Sequence, residues 1–422
     1  MATDRSVYST PRLSPKVSLF LLASIAASLL AGSSAPTPLY AIYQAQWGFT
    51  PITTTVVFGI YAIAVLAALL TVGKLSDYVG RRPVLLVALA VQVLAMVVFA
   101  TASGVPELII GRIVQGLSTG AAIGAIGAGM LDFDRTRGTL LNAIAPMTGT
   151  ATGGLVAGIL VQYLPSPTHL VYWALLATFV VQGIGVALIP ETATRAPGAL
   201  KSLVPEIKLP RDVHRPVLVA IPVLVAVWSL AGLYGAFGPS LVRVLTGSKS
   251  HVLGGLSLFA LAGSGAVSVL FFQRIQPEKT MVLGIAALLT GVGVTLIGID
   301  NGSITGFFVG SVIAGIGFGG GFQGSIKTVL PLAAASERSG VLSLIYVVSY
   351  LALGVPTVIG GFLVVHDGGL LTTAREYGIG VMILAALALV GLVLQRQRGI
   401  VLARATAPTH DNTPELAKAG LS

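Results

Sequence analysis

The polar segment GKLSDYVGRRP, residues 73–83, interrupts an otherwise apolar sequence. It places one acid and two arginines beside two spaced glycines: Gly73, Asp77, Gly80, Arg81 and Arg82. Glycine permits close approach of the backbone and proline begins a helix without losing a hydrogen bond, so the segment is typical of a tight turn between antiparallel helices. A positively charged loop would explain the arginines but not the aspartate.

Arg112 is the one strongly basic residue within an apolar span. A charge near the bilayer centre costs about 2.5–3.5 kcal/mol on insertion scales, so such residues usually face a cavity or a partner. Gln115 and Thr119 follow at i+3 and i+7 and share its helix face. We expect Arg112 and Gln115 to line a cavity. The alternative is that Arg112 extends to the membrane surface from the end of its helix.

The acidic residues offer little further chemistry, because all fifteen lie in loops, in tails or at span ends. With histidine they provide peripheral candidates for proton transfer: Asp77, Glu107, Asp132, Asp134 and His169. The sequence shows no nucleophile–base pair, cysteine, metal-ligand spacing or G-x-x-x-x-G-K-[ST] phosphate loop. It therefore predicts no enzyme, no metal site and no cofactor.

The run GIGFGG, Gly315–Gly320, satisfies the G-x-G-x-x-G pattern of dinucleotide-binding loops. Such a loop follows a strand and opens a helix at the protein surface. Here the run lies within the apolar stretch Ile304–Ile326, where a phosphate would find no water. We expect these glycines to allow close helix packing and movement, with Phe318, Phe322 and Gln323 beside a cavity.

Composition identifies the class of protein that positions these residues. Hydrophobic residues make up 55% of the chain and charged residues 9%, against roughly 25% charged in a typical soluble domain. With a mean hydropathy of +0.91 over 422 residues, too little polar surface remains to cover one soluble core. The chain is predicted to be an integral membrane protein. Its net charge of +10 follows from basic loops rather than from nucleic-acid binding.

A membrane span needs about 20 apolar residues. Twelve such segments occur, at 17–40, 52–72, 83–102, 107–130, 139–163, 170–189, 216–238, 252–272, 280–299, 304–326, 341–365 and 378–394. With the N-terminus in the cytoplasm, the tails, the even-numbered short loops and the central linker hold 21 of the 25 basic residues. The outer loops hold only Arg243, Lys249 and Arg375. Because basic residues favour cytoplasmic loops, both termini are predicted to be cytoplasmic.

The interval Glu191–Arg215 is the only long polar interval between spans, and it is predicted to be a cytoplasmic linker. The predicted organisation is an N-tail at 1–16, a six-helix bundle at 17–190, the linker at 191–215, a second six-helix bundle at 216–395 and a C-tail at 396–422. The two halves echo each other, since DRTRGTLLN opens span five and SERSGVLSL opens span eleven. Paired halves are typical of transporters, whose substrate site lies between them near the midplane.

The segment at residues 73–82 resembles the loop signature G-x-L-x-D-x-x-G-R-[RK] of the major facilitator superfamily. Three further stretches are similar to family motifs: RIVQG from Arg112 in span four, PET at Pro190–Thr192, and GTATGGLVAG at Gly149–Gly158, a degenerate span-five motif of efflux antiporters. The resemblance covers residues 17–395. It implies an all-α polytopic membrane protein with twelve transmembrane helices in two pseudo-symmetric six-helix bundles, most like the drug and metabolite efflux branch.

The resemblance implies alternating access, in which the two halves rock around a central cavity. It implies that Asp77 lies against the N-terminus of span eleven, near Ser339 and Gly340, where the helix dipole favours a carboxylate by about 0.3–1 kcal/mol when exposed. It also implies that Arg81 pairs with an acid ending span four. These contacts would close the cytoplasmic side. The implied gating residues are Gly73, Asp77, Gly80, Arg81, Arg82, Asp132, Asp134, Gly149, Gly153 and Gly154.

Polar and aromatic residues occur in the spans that line the cavity of this fold: Tyr40, Arg112, Gln115, Asn142, Trp228, Tyr234, Phe318, Phe322, Gln323, Tyr346 and Tyr350. Apolar walls with a few polar groups suit an amphipathic organic substrate. The resemblance implies efflux driven by a proton gradient, with Asp77, Glu107 and Asp132 as coupling candidates. It implies a monomer in the bacterial cytoplasmic membrane whose partners are a small molecule and the lipid bilayer.

Two departures from the efflux pattern keep other functions open. Span one, which contains SLLAGSSAPTPLY, has no acid, whereas many proton-driven efflux relatives carry one there. Thr150 stands where the span-five motif has a proline. Import of a metabolite by proton symport or by uniport is therefore an alternative, and a transporter-like membrane sensor is a further one.

Overall fold

The computed structural model describes residues 13–205, 209, 213–334 and 337–405, with side chains described as far as Leu394. These residues include twelve helices that are long and apolar enough to cross a membrane, which confirms the predicted number of spans. They contain no β-strand. A helix satisfies all its backbone hydrogen bonds internally, as hydrocarbon surroundings require, and the fold is all-α.

From residue 13 onward, the N-terminal half contains eight helices: α1 (Pro15–Ser34), α2 (Tyr40–Trp47), α3 (Pro51–Val72), α4 (Ser76–Val79), α5 (Arg81–Ala100), α6 (Val105–Phe133), α7 (Arg135–Tyr163) and α8 (Pro167–Leu188). A 3-10 turn at Thr37–Leu39 joins α1 to α2, which together form span one. The short helix α4 lies within the polar segment of residues 73–83.

The described residues of the C-terminal half form six α-helices: α9 (His214–Thr246), α10 (His251–Phe272), α11 (Pro277–Asp300), α12 (Ile304–Val329), α13 (Arg338–His366) and α14 (Gly369–Ala405). The linker before α9 includes a 3-10 turn at Lys201–Leu203. A second such turn, Leu330–Leu332, follows α12.

Three helices extend well beyond the predicted spans. Span one continues to Trp47 rather than ending at 40, since the 3-10 turn bends the chain without ending the span. Helix α9 passes Pro239 and ends at Thr246, eight residues after the predicted end at 238. Helix α14 runs to Ala405, into the predicted tail. Hydropathy marks the part of a helix in hydrocarbon, whereas the helix itself continues while its backbone bonds form. Of the predicted N-tail, only residues 13–16 are described, and the predicted C-tail after Ala405 lies outside the described residues.

Local signals explain where the helices begin. Prolines occupy the first turn of α1, α3, α6, α8 and α11, where the missing N–H costs no hydrogen bond. Side chains of Ser14, Asp134, Ser250 and Ser303 accept backbone N–H groups at the starts of α1, α7, α10 and α12. These caps satisfy donors that have no partner within the helix.

Successive spans run in opposite directions, so the first and last described residues and the described part of the linker lie at one end of the bundle, which we call the terminal end. The opposite end, with the α7–α8 and α9–α10 loops, is the distal end. The halves meet where α3 packs on α13 and α7 packs on α10. Close approach of α7 and α10 occurs at Gly154, beside Leu258, and of α3 and α13 at Gly59, beside Val358. Both contacts lie in the distal parts of the helices.

Candidate functional site

Arg81 is the centre of a charged cluster at the terminal end. Its guanidinium pairs with Asp77 of α4, and its Nε lies 3.4 Å from Asp132 Oδ2 near the end of α6. Its Nη1 also donates to Ser76 Oγ at 2.8 Å. The Arg81 side chain is 13% exposed, whereas that of Asp77 is 54% exposed. The arginine is therefore held by two carboxylates, one of which remains largely open to solvent.

The two acids that follow span four have different contacts. Asp132 contacts Arg81, as described above. Asp134 instead caps α7, because its Oδ1 accepts from the backbone N–H groups of Thr136 at 3.0 Å and Arg137 at 2.9 Å. Of the two acids that the sequence offered as partners of Arg81, the structure brings Asp132 to it.

Glu191 is a member of this cluster that the sequence analysis did not name as a site residue. Its Oε1 accepts from Arg81 N at 2.8 Å and its Oε2 from Arg82 N at 3.0 Å, so the carboxylate caps the N-terminus of α5. Gly80 has φ +107°, and a Cβ there would lie 2.6 Å from Glu191 Oε2. Glycine therefore satisfies both the left-handed backbone and the close carboxylate. The sequence feature that could have identified Glu191 is the PET motif, which contains it and marks the end of span six.

Further contacts tie the cluster to neighbouring helices. Thr192 Oγ1 donates to Asp132 Oδ2 at 2.7 Å, and the Arg82 guanidinium donates to the Ala187 carbonyl near the end of α8. The loop at 73–82 is thereby joined to the ends of α6 and α8 as one unit of the N-terminal half.

The predicted contact between Asp77 and span eleven would involve the other half. Among the described residues, no hydrogen bond joins Asp77 to the backbone of Ser339 or Gly340. That contact is expected when the terminal end closes. Glycine contacts between α7 and α10 continue from Gly154 to Gly265, which lies beside Met147. The contact stays a prediction for the opposite conformation.

Arg112 lies at the centre of a polar core within the N-terminal half and is fully buried. Its Nη1 donates to the Ser33 carbonyl and to Gln115 Oε1, both at 2.8 Å. Its Nε and Nη2 donate to Tyr40 Oη at 3.2 and 2.5 Å. Gln115 is also fully buried and Tyr40 nearly so. These three predicted cavity residues therefore form one hydrogen-bonded core.

The charge of Arg112 is stabilised without a carboxylate. Its guanidinium carbon lies 5.4 Å from the Tyr61 ring centroid, 5.8 Å from that of Tyr40 and 5.9 Å from that of Phe99. Aromatic faces attract a cation at such distances. No described acid lies within ion-pair distance of Arg112. The cation is thus held by neutral acceptors and aromatic rings.

An aromatic cluster lies on the C-terminal half, with Trp228 of α9 at its centre. Its ring centroid is 5.5 Å from that of Phe322, 6.1 Å from that of Phe318 and 5.5 Å from that of Tyr350. Tyr346 extends the cluster, 6.5 Å from Tyr350. Helices α9, α12 and α13 therefore bring together five of the predicted cavity residues.

Two polar atoms beside these rings have no hydrogen-bond partner in the described part of the chain. They are Trp228 Nε1, a donor, and Gln323 Oε1, an acceptor. Gln323 Nε2 lies 3.5 Å from the Val269 carbonyl of α10, which orients the amide. Leaving a buried polar group unsatisfied costs about 1–3 kcal/mol, so both atoms favour a ligand with matching groups.

Two other predicted cavity residues do not join this cluster. Tyr234 is 2% exposed, its hydroxyl lies 2.6 Å from Ser311 Oγ, and its ring stacks on Phe307. It therefore packs inside the C-terminal half. Asn142 is exposed on α7, with Oδ1 facing Gly127 of α6.

The candidates for proton transfer lie at both ends of the N-terminal half. Asp77 and Asp132 share Arg81 at the terminal end. Glu107 lies in the first turn of α6 at the distal end, and its Oε2 is buried without a described hydrogen-bond partner. Nearby, His169 Nδ1 lies 2.6 Å from the Ala100 carbonyl. Because a carbonyl only accepts, Nδ1 carries the proton.

The glycines of α7 and α12 permit close helix packing, as expected. A Cβ at Gly149 or Gly153 would overlap backbone carbonyls of α1, and Gly154 faces α10. A Cβ at Gly315 would overlap the Leu261 carbonyl of α10, and one at Gly317 would overlap the backbone of α11. Small residues at such contacts let helix backbones approach in membranes.

Comparison with known sequences identifies related proteins. The family model described as Major Facilitator Superfamily matches residues 20–293. The chain is 24% identical over 357 residues to the multidrug resistance protein MdtL of Klebsiella pneumoniae (strain 342), which covers 80% of this chain and 84% of that protein. It is 34% identical over 110 residues to multidrug resistance protein D of Escherichia coli (strain K12), covering 24% of this chain and 27% of that protein.

Solved structures share the fold. The nucleoside transporter NupG superimposes with a TM-score of 0.68 at 12% identity, covering 90% of this chain and 98% of that one. The human organic anion transporter MFSD10 gives a TM-score of 0.64 at 17% identity, covering 91% of this chain and 100% of that one. At these identities the likeness concerns the fold alone.

Proposed function

The chain belongs to the major facilitator superfamily, and on that basis we propose that this transporter exports small amphipathic organic compounds in exchange for protons. It acts by alternating access between its two halves. Its termini face the cytoplasm of a bacterial cell, since the terminal end holds most of the basic residues. The multidrug resistance proteins among its relatives support export rather than import.

The observation that carries this proposal is the aromatic cluster around Trp228. Five rings from three helices form an apolar surface beside one free donor, Trp228 Nε1, and one free acceptor, Gln323 Oε1. No charged side chain is part of the cluster. A planar organic molecule would be bound by ring contacts and oriented by one or two hydrogen bonds, which tolerates different substrates.

The charged cluster at Arg81 acts as the gate at the terminal end. When that end closes, Asp77 leaves solvent and meets the N-terminus of α13, while Asp132 and Glu191 hold Arg81 in place. The half-exposed Asp77 side chain supports this role, because it is free to acquire a second partner. Asp77, Asp132 and Glu107 are the proposed proton-binding groups, since no acid lies in the middle of a span.

A substrate test compares two substitutions at Trp228. Trp228→Ala removes the ring that would contact an aromatic substrate. Such a contact is worth about 0.5–1.5 kcal/mol beyond area burial, so the apparent affinity should fall by roughly 2- to 10-fold. Trp228→Phe keeps a ring but removes the donor and should weaken affinity less. Trp173, exposed on α8, provides the matched control Trp173→Ala. Unchanged affinity in Trp228→Ala would contradict the proposed binding surface.

The direction of substrate transport is tested in proteoliposomes of known orientation with an imposed proton gradient. Export in exchange for protons predicts that substrate moves against the direction of proton flow. Movement of substrate together with protons would instead establish uptake by symport, and movement independent of the gradient would establish uniport. The absence of an acid in span one is the observation that favours these alternatives.

A further inference from the structure

A side chain of one half caps a helix of the other half at the distal end. Gln162, one residue before the end of α7, has its Oε1 2.7 Å from Ser250 Oγ and 3.2 Å from Val252 N, and it accepts a hydrogen bond from each. Ser250 is itself the N-cap of α10, since its Oγ accepts from Leu253 N at 3.4 Å. A single amide oxygen thus extends the cap of α10 across the boundary between the halves.

Other contacts at this place bring the same two helix ends together. Gly158, one turn before Gln162, lies so close to α10 that a Cβ there would be 2.5 Å from the His251 carbonyl. The His251 imidazole also faces the Pro38 carbonyl in the turn between α1 and α2. The start of α10 is therefore held by two separate segments of the N-terminal half.

The pseudo-symmetric contact, between α3 and α13, has no equivalent of the Gln162 hydrogen bonds among the described residues. Helix α13 ends at His366, whose Nδ1 lies 3.0 Å from the Phe362 carbonyl of the same helix. The contact consists of packing at Gly59 beside Val358 and at Gly361 beside Thr55. No hydrogen bond between described residues joins α3 to α13. The hydrogen-bonded contact on the α7–α10 side is thus a particular feature of Gln162 rather than a consequence of the repeat.

We propose that Gln162 is the latch of the distal gate. The hydrogen bonds that it accepts exist only while α7 and α10 are together, so they stabilise the conformation that is closed at the distal end. Opening breaks both bonds, and water then takes the place of the exposed Gln162 amide. This inference rests on the proposed alternating access and adds the residue that sets its equilibrium at this end.

Two substitutions at Gln162 should act in opposite directions. Gln162→Ala removes both bonds and should shift the ratio of closed to open molecules toward open. Because both bonds are exposed to water, each contributes the lower end of the net range, and the shift should be roughly fivefold. Gln162→Glu keeps an acceptor and adds negative charge at a helix N-terminus, so it should shift the ratio toward closed. General loss of stability would move both variants in the same direction.

The matched control is Gln182→Ala. Gln182 of α8 donates to Ser24 Oγ at 3.2 Å and Ser28 Oγ at 2.9 Å, all within the N-terminal half. Its loss removes the same number of amide hydrogen bonds without touching the boundary between halves. We expect it to leave the closed-to-open ratio unchanged, and its thermal unfolding provides the reference for a purely structural effect.

Distances between spin labels measure the ratio directly, since the chain has no cysteine to compete for labelling. Labels at Ser103→Cys and Asp367→Cys, both exposed distal loop positions on opposite halves, report opening of the distal end. Double electron–electron resonance on the purified full chain in lipid nanodiscs should show two opposite changes. The population with the longer distance between labels should increase in Gln162→Ala and decrease in Gln162→Glu. Equal distributions in wild type and both variants would overturn the latch, as would parallel shifts.

A second label pair separates failure of the latch from failure of the proposed transport cycle. Thr139→Cys and Arg274→Cys report the terminal end, again on exposed positions of opposite halves. Alternating access requires the terminal distance to shorten as the distal one lengthens. If neither pair changes when the pH of the nanodisc sample is varied or in any variant, the transport cycle is wrong. If both change in opposite directions but Gln162 variants match wild type, only the latch is wrong.

Discussion

Replacing Glu191 by alanine should weaken both the fold and the transport rate. The substitution removes a carboxylate that accepts four backbone N–H groups: Arg81 at 2.8 Å, Arg82 at 3.0 Å, and Thr192 and Ala193 at 3.1 Å. Two of these donors are the first N–H groups of α5, which have no acceptor within the helix. Water replaces the carboxylate in the variant, because the residue is exposed.

The expected loss follows from two contributions. Loss of an N-cap side chain costs about 0.5–2 kcal/mol, and loss of a negative charge at an exposed helix N-terminus costs about 0.3–1 kcal/mol. The free energy of unfolding should therefore fall by about 1–3 kcal/mol, which corresponds to a few degrees in Tm. Glu191→Gln keeps one acceptor oxygen and should lose about half as much. Transport should fall because the loop carrying Asp77 and Arg81 loses its anchor.

Thermal unfolding of the purified chain and transport in proteoliposomes measure the two effects. Glu278→Ala is the matched control, since Glu278 is an exposed acid in the first turn of α11 at the same end of the bundle. A Glu191→Ala variant that matches this control in both Tm and transport rate would show that the cap does not organise the loop. A lower Tm with normal transport would separate stability from gating.

Three further substitutions test other parts of the structure. Asp77→Asn should abolish transport while leaving expression and gel-filtration behaviour intact, because it removes only the charge that contacts Arg81; full activity would contradict the gating role. Gln323→Ala should alter the substrate profile in a growth-inhibition panel, and an unchanged profile would count against the polar contact. Gly315→Val should overpack the contact with α10, which lowers the free energy of unfolding by about 1–3 kcal/mol or more and so lowers Tm. Gly183→Ala, with open space around it, should leave Tm unchanged.

The sequence predicts the spans well because a bilayer demands about 20 apolar residues for each. It also predicts that Arg81 contacts an acid at the end of span four. It does not decide between Asp132 and Asp134, since their roles depend on where α6 ends and α7 begins. Glu191 was missed for a different reason. Its partners at the start of α5 are backbone N–H groups about 110 positions away, and backbone groups leave no residue pattern.

The cavity residues show a second limit of sequence reasoning. Trp228 and Tyr234 lie six residues apart on α9, and both are aromatic residues in an apolar span. Because α9 is apolar on all sides, its hydrophobic pattern does not reveal which face each occupies. The structure shows Trp228 in the aromatic cluster and Tyr234 bonded to Ser311 inside the C-terminal half. Both residues pack against α12 but at different levels, Trp228 at Phe318 and Phe322 and Tyr234 at Phe307 and Ser311, and no residue pattern in α9 predicts this difference.

The proposed substrate surface and the proposed proton-binding acids lie on different halves of the structure. The aromatic cluster lies on the C-terminal half, whereas Arg112 and the acids proposed to bind protons lie on the N-terminal half. In the proposed cycle, substrate and proton therefore influence each other through relative movement of the halves, which meet along α3–α13 and α7–α10. Substitutions at Trp228 should then change substrate affinity at constant proton stoichiometry. Substitutions at Asp77 or Gln162 should change how often the gates open at constant affinity, because they act on the movement and not on the binding surface.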